Sequence, residues 1–170
     1  MIEPQVVLEA IAADQAFVLA NLFELYVHDF SEQVPVELKA NGRFDLPIDE
    51  RWWSDDAHFP FFIHSDGRLV GFALVRRGSR VSAAVDVMDV AEFFVLRGAR
   101  RRGVGRSAAR ALFRAFPGRW QVRVRQSNEA AKTFWQKVAR GWPGEPVPWT
   151  PFSVAGVAWH VLEVPVISTA

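Results

Sequence analysis

A chain of 170 residues, half of them apolar and 23% charged, reads as one soluble globular domain over residues 1–170 with a single substantial core. The lack of cysteine excludes disulfides, thiolate metal sites and a cysteine nucleophile, and four scattered histidines without ligand spacing lead us to expect no metal. No apolar run approaches the ~18–20 residues of a membrane-spanning helix, and the start MIEPQVV lacks a basic end and an apolar core, so no membrane partner and a cytoplasmic location are expected.

The net charge of +1 hides two opposed fields. Residues 1–56 carry twelve acids against Lys39, Arg43 and Arg51, whereas Arg97 to Arg125 holds ten arginines and no acid. This suggests an anionic ligand at the middle of the chain and a cationic one near the front. Two merely solvated faces would give the same count.

In chain order, residues 5–11 read as a strand. Asp14 then caps a helix over roughly 15–29, with Phe17, Val18, Leu22, Leu25 and Tyr26 at helical spacing. Residues 31–56 form a long excursion with a short helix around Ile48–Trp53, where Trp52 and Trp53 supply apolar walls. Residues 59–64 and Leu69–Val75 make a hairpin about Asp66 and Gly67. Residues 83–96 suit a long strand at the centre of a sheet, with Ala91 and Glu92 a reasonable place for a bulge.

The next helix begins near Gly103 and buries Val104, Ala108, Ala111, Leu112 and Ala115, with Arg102, Arg106, Arg110 and Arg114 on its other face. Pro117 and Gly118 end it, and Trp120, Val122 and Val124 alternate as a half-buried strand should. Asn128 caps a second helix whose stripe is Ala131, Trp135 and Val138, closed by Gly141. Residues 143–154 read as loop and Gly156–Val164 as a last strand. The order β-α-loop-β-β-β-α-β-α-β predicts a mixed α/β sheet with helices against it.

The stretch Phe93–Arg114 joins an apolar strand end to an arginine and glycine turn and a helix N-terminus. Helix N-termini present unpaired N–H groups and partial positive charge, and glycines let a bulky anion approach the backbone. In outline this is a pyrophosphate cradle. A nucleic-acid patch is the competing reading of the arginine run. Near-neutrality of the whole chain, and no aromatic row beside the arginines, argue against it, so no nucleic-acid partner is expected. The glycines lack a following Lys-Ser/Thr, which excludes a P-loop.

The pattern Arg100-x-x-Gly103-x-Gly105, preceded five residues earlier by Val95, resembles the acetyl-CoA-binding motif of the GNAT acetyltransferase superfamily. So does the second helix, where Asn128, Ala131, Phe134, Trp135 and the closing Gly141-Trp142 keep that family's register. The resemblance implies a mixed, mostly antiparallel sheet flanked by helices, with a CoA cleft beside the central strand. It also implies that backbone N–H groups across Arg101, Arg102, Gly103, Val104, Gly105 and Arg106 hold the pyrophosphate. The strand Phe93, Phe94, Val95 would pair with the pantetheine arm, and Asn128 with the Phe134–Lys137 turn (Trp135 included) would flank the cofactor. The activity implied is acetyl transfer from acetyl-CoA to a primary amine, a small molecule or a peptide, with a homodimer left open.

Without cysteine, direct attack in a ternary complex is the simplest chemistry. An amine of pKa near ~10 is mostly protonated at neutral pH, so a general base is useful. Asp86, Asp89 and Glu92 are carboxylates on the apolar central strand; Glu92 is the first candidate base and Asp89 the second. The family's usual general acid is a tyrosine where this chain has Trp135, whose indole cannot supply a proton. Tyr26, the one tyrosine, is the remaining catalytic candidate. A CoA-binding module without turnover therefore stands as the alternative. The acidic front suggests a cationic acceptor.

Overall fold

In the computed structural model, residues 4–142 and 148–166 are described. The elements are β1 (Val6–Ala10), α1 (Ala16–Phe30), the single turn α2 (Arg51–Ser54), β2 (His58–Ser65), β3 (Arg68–Arg77), β4 (Val87–Val95), α3 (Val104–Ala115), β5 (Gly118–Arg125), α4 (Glu129–Arg140), β6 (Thr150–Val154) and β7 (Val157–Val166). The strands form one seven-stranded sheet in the order β1-β2-β3-β4-β5-β7-β6, antiparallel throughout except for the parallel pair β4 and β5. The expected sheet flanked by helices is the fold observed.

Alternation along the central strands divides the core between the two faces of the sheet. Ala73, Val75, Val90, Val95, Val122 and Val124 point to one face, under α3 and α4. Phe62, Phe72, Leu74 and Phe94 point to the other, where Leu19 and Leu22 of α1 and Trp52 of α2 cover them. The long loop of residues 31–50 folds back over this second face. Glu24 holds it there by accepting the Phe44 and Asp45 N–H groups at 2.8 and 2.9 Å.

Three expectations are corrected by packing. The strand expected from 83 starts only at Val87, because residues 79–84 close a turn in which the Ser79 N–H donates to the Ala84 carbonyl at 2.8 Å. The buried stripe of α3 is Val104, Ala108, Ala109, Leu112 and Phe113; Ala111 is half-buried and Ala115 exposed, since the sheet meets the helix one position further round. Part of the tail read as loop is β6, whose apolar pattern is broken by Pro151 yet which pairs fully with β7 through the Ala155-Gly156 turn. Residues 143–147 lie outside those described.

Candidate active site

The site is made where two strands part. β4 and β5 pair only from Val87–Val90 against Arg119–Val122, and beyond Val90 they have no common register. Opposite, β3 keeps pairing with β4, but Leu74 faces Glu92 and Val75 faces Val90, so Ala91 is an extra residue. This is the bulge anticipated at Ala91 and Glu92, and it turns β4 away from β5.

Backbone parity then decides which groups face the gap. The Leu96 N–H donates to Val70 O at 2.8 Å, and Phe94 O lies against Gly71. Even-numbered residues here therefore pair with β3, and the odd-numbered Phe93 and Val95 aim their N–H and C=O groups at the space β5 has left. The Val95 carbonyl accepts the Arg100 Nε at 2.7 Å. An open strand edge of this kind can add a further extended segment.

At the end of β4 the chain enters the turn that precedes α3. Arg101 (φ 62°) and Gly103 (φ 86°) are both left-handed, which folds the turn back beneath the helix start. The first-turn N–H groups of Val104 and Gly105 lack intrahelical acceptors by position and point out of the helix end. Gly105 sits close under an aromatic ring: a Cβ there would lie 3.1 Å from Phe134, which stacks on Phe93 with centroids 5.8 Å apart. The Asn128 side chain caps α4 by accepting the Ala131 N–H at 3.0 Å, which sets that helix against the other wall of the gap.

Not every residue expected at the cofactor faces it. Phe94 packs on Phe72 and Tyr26 on the opposite face and pairs with β3 through its backbone, so it reaches the gap by neither route. The Arg100 guanidinium is turned back to Val95 and to Asp29 of α1. The Val104 side chain is core, leaving only its N–H. Lys137 is exposed on α4 and does not line the groove, and Arg101, Arg102 and Arg106 are exposed around the cradle. Trp135 is 5% exposed, wedged edge-on between Phe93 and Phe134 at the groove wall.

A cavity of about 530 Å³ runs through the gap and out over the α1 face, within the size range of small-ligand sites. On that face the Tyr26 hydroxyl donates to Glu92 Oε2 at 2.5 Å. Burial pushes the Glu92 carboxyl above its ordinary range; the Tyr26 hydrogen bond and the charges of Arg123 and Arg76 pull the other way without cancelling it. Burial, then the Glu92 charge, pushes the Tyr26 phenol far up, so Tyr26 stays a hydrogen-bond donor. It packs with Phe72 and Phe94, on the opposite face of the sheet from Trp135.

Asp89 is placed differently. It is 0% exposed, and Arg76 of β3 and Arg123 of β5 both grip it, at 2.7–3.0 Å and 3.0–3.1 Å. Arg123 is the first residue of β5 beyond the last β4 pair, so this triad pins the crotch where the strands separate. Both of its carboxylate oxygens are thus held by guanidinium groups.

The arginines of this face were not anticipated. Arg123 and Arg125 occupy the polar positions of the β5 alternation, the one signal that could have placed them beside Glu92. Among the described acids of residues 1–56, Asp49 alone lines the groove. Others are used locally: Asp29 binds Arg97 and Arg100, Asp45 binds Arg43, and Glu24 holds the loop. The acidic front therefore does not supply the negative site from which a cationic acceptor was expected. Among the described residues no group of three His, Cys, Asp or Glu could hold a metal ion, and no helix is long and apolar enough to cross a membrane.

A parted parallel pair, a bulge and a helix start opened by glycine thus lie along one stretch of chain from β4 to α3. The sequence signature of the acetyltransferase (GNAT) family matches residues 19–140, and the chain belongs to that family. Among solved structures, it is similar to an acetyltransferase from Thermus thermophilus at 20% identity, over 97% of this chain and 99% of that one, with a TM-score of 0.69. A spermidine N-acetyltransferase chimera from Vibrio cholerae follows at 14% identity, 95% coverage of both chains and a TM-score of 0.61. The ribosomal-protein-S18-alanine N-acetyltransferase of Escherichia coli is similar at 14%, over 98% and 96% of the two chains, with a TM-score of 0.57. At these identities the likeness is one of fold. No curated protein sequence matches the chain.

Proposed function

We propose that the protein is a cytoplasmic N-acetyltransferase that acetylates a primary amine directly, with Glu92 as general base. The observation that carries this is the Tyr26–Glu92 hydrogen bond at the bulge, in a groove that also takes in Phe93 and Trp135. The family uses acetyl-CoA as co-substrate, and the residues fit it. The N–H groups of Val104 and Gly105 suit the pyrophosphate, and the open edge of Phe93 and Val95 suits the pantetheine arm. When bound, acetyl-CoA supplies an activated acyl carbon, at which the C–N bond forms as the C–S bond breaks and the thiol is released.

The chain's own residues do the rest. Glu92 Oε takes the ammonium proton, which frees the amine lone pair; its burial keeps it a stronger base than an exposed glutamate. Tyr26 is a positioning residue that fixes the carboxylate. The Phe93 N–H, aimed into the gap beside the bulge, is the backbone donor available to a developing oxyanion.

A second reading, a CoA-binding module without turnover, rests on Trp135, which holds the family's tyrosine position and cannot donate a proton. A thiol of pKa ~8.5 leaves tolerably as thiolate, so turnover does not require that donor. Thiol release from acetyl-CoA across a broad panel of amines decides between them. Release with at least one amine class supports the transferase; silence across the panel, with CoA binding retained, supports the module.

A further inference from the structure

We propose that the acceptor is an amine carrying an oxyanion on the same molecule, and that Arg80 and Arg125 recognise that anion. The inference rests on the transferase reading above and adds the substrate class to it.

Charge bookkeeping of the groove leads there. Five arginines line it (Arg51, Arg76, Arg80, Arg123 and Arg125), while Asp49 and Glu92 are its lining carboxylates and Asp89 lies buried beneath. Arg51 is tied to Asp49, and Arg76 and Arg123 divide Asp89 between them. Arg80 and Arg125 have no carboxylate within ion-pair distance among the described residues. A cationic acceptor would enter a groove whose charge already repels it. An oxyanion would meet two guanidinium groups with no ion-pair partner among the described residues, and Glu92 would still be left to meet the amine.

Their surroundings differ. Arg125 lies over the indole of Trp159 at 5.2 Å from the ring centroid, a cation–π contact. Arg80 sits in the β3–β4 turn. That turn is fastened to β5 by Ser79, whose hydroxyl donates to Gln121 Oε1 at 2.6 Å and accepts the Val81 and Ser82 N–H groups. Gln121, 2% exposed, is in turn fixed by donating to Glu163 at 2.9 Å. The cavity of about 530 Å³ must also admit the cofactor's arm, so the acceptor is small.

The test is thiol release with matched acceptors: amino acids, their decarboxylated amines, aminoalkylphosphonates, and spermidine. For wild type, kcat/KM should favour the acid-bearing member of each pair by ~10–100-fold, the size of one or two charge-assisted hydrogen bonds. In R125Q and R80Q that ratio should fall toward unity, through KM more than kcat, and R125K should retain part of it. Activity of carboxylates but not phosphonates would identify the anion as a carboxylate; equal activity would leave the site a general oxyanion clamp, and both support the proposal. Preference for spermidine or for the decarboxylated amines, or an unchanged ratio in both glutamine variants, overturns it. Calorimetric titration with the same compounds in the presence of CoA separates the two levels. Carboxylate-dependent binding without turnover removes the transferase reading but keeps the anion site; absence of both overturns the site as well.

Discussion

The groove has two sides, and they are built from the chain in different ways. The proposed cofactor side comes from one stretch of chain: β4, the left-handed turn at Arg101 and Gly103, α3 and, beyond β5, the start of α4 lie between Val87 and Trp135. The acceptor side is assembled from distant segments. Tyr26 reaches Glu92 across 66 positions, Asp89 and Arg123 are 34 apart, and Trp159 comes from the last strand to meet Arg125. The first side depends on backbone geometry and the second on charged side chains. That contrast explains why a motif can announce a cofactor while saying little about what is acetylated.

The strongest way to sharpen the contrast is Glu92→Gln. The amide keeps the shape and accepts from Tyr26 but cannot take a proton, so kcat should fall ~10²–10⁴-fold. CoA affinity, which rests on the other side, should be unchanged in the same preparation. Unaltered turnover would remove Glu92 as the base.

Asp89→Asn should act on the fold instead. Removing the charge leaves Arg76 and Arg123 partly buried and unpaired where β4 and β5 diverge. Breaking such a pair costs about 3–5 kcal/mol, which denaturant unfolding would read directly. If stability holds while turnover collapses, Asp89 belongs to the chemistry after all.

These two neighbours on one strand show what the sequence could and could not tell. Gly103, Gly105 and Asn128 were legible because a tight turn, a close approach and a helix cap each demand a particular residue type at a fixed offset, whereas Val95 was picked out by its register with the family motif. The bulge at Ala91 was legible as a place, since two charged or small residues interrupt an apolar strand there. The roles of Asp89 and Glu92 were not, because they depend on which arginine or tyrosine arrives from elsewhere. Counting charge along residues 1–56 could not place those acids for the same reason: several are engaged by backbone amides and arginines, and arginines of β3 and β5 line the groove.

A smaller effect is expected at the cradle. Gly103→Ala forces a Cβ into φ 86°. The left-handed conformation costs an L residue about 1–2 kcal/mol. The variant should bind CoA up to about tenfold more weakly, or lose an equivalent amount of stability, with kcat at saturating CoA preserved. A fall in kcat with CoA affinity intact would mean that the two sides of the groove are not separable in this way.

Tyr26→Phe should have the mildest effect on rate and the most informative effect on pH. The phenol donates to Glu92 and favours its ionised form, against the burial that raises its pKa. Without that donor burial meets less opposition, and the Glu92 pKa rises further. A general base works when deprotonated, so activity climbs as pH passes its pKa; the acid limb of the kcat/KM profile should therefore move to higher pH. At the plateau, loss of one hydrogen bond should cost only about three- to tenfold in rate. If Tyr26 were instead the proton donor to the leaving thiolate, its loss would lower the plateau by ~10²-fold or more and depress the alkaline side. The direction in which the profile moves thus tells a residue that holds the base from one that supplies the acid.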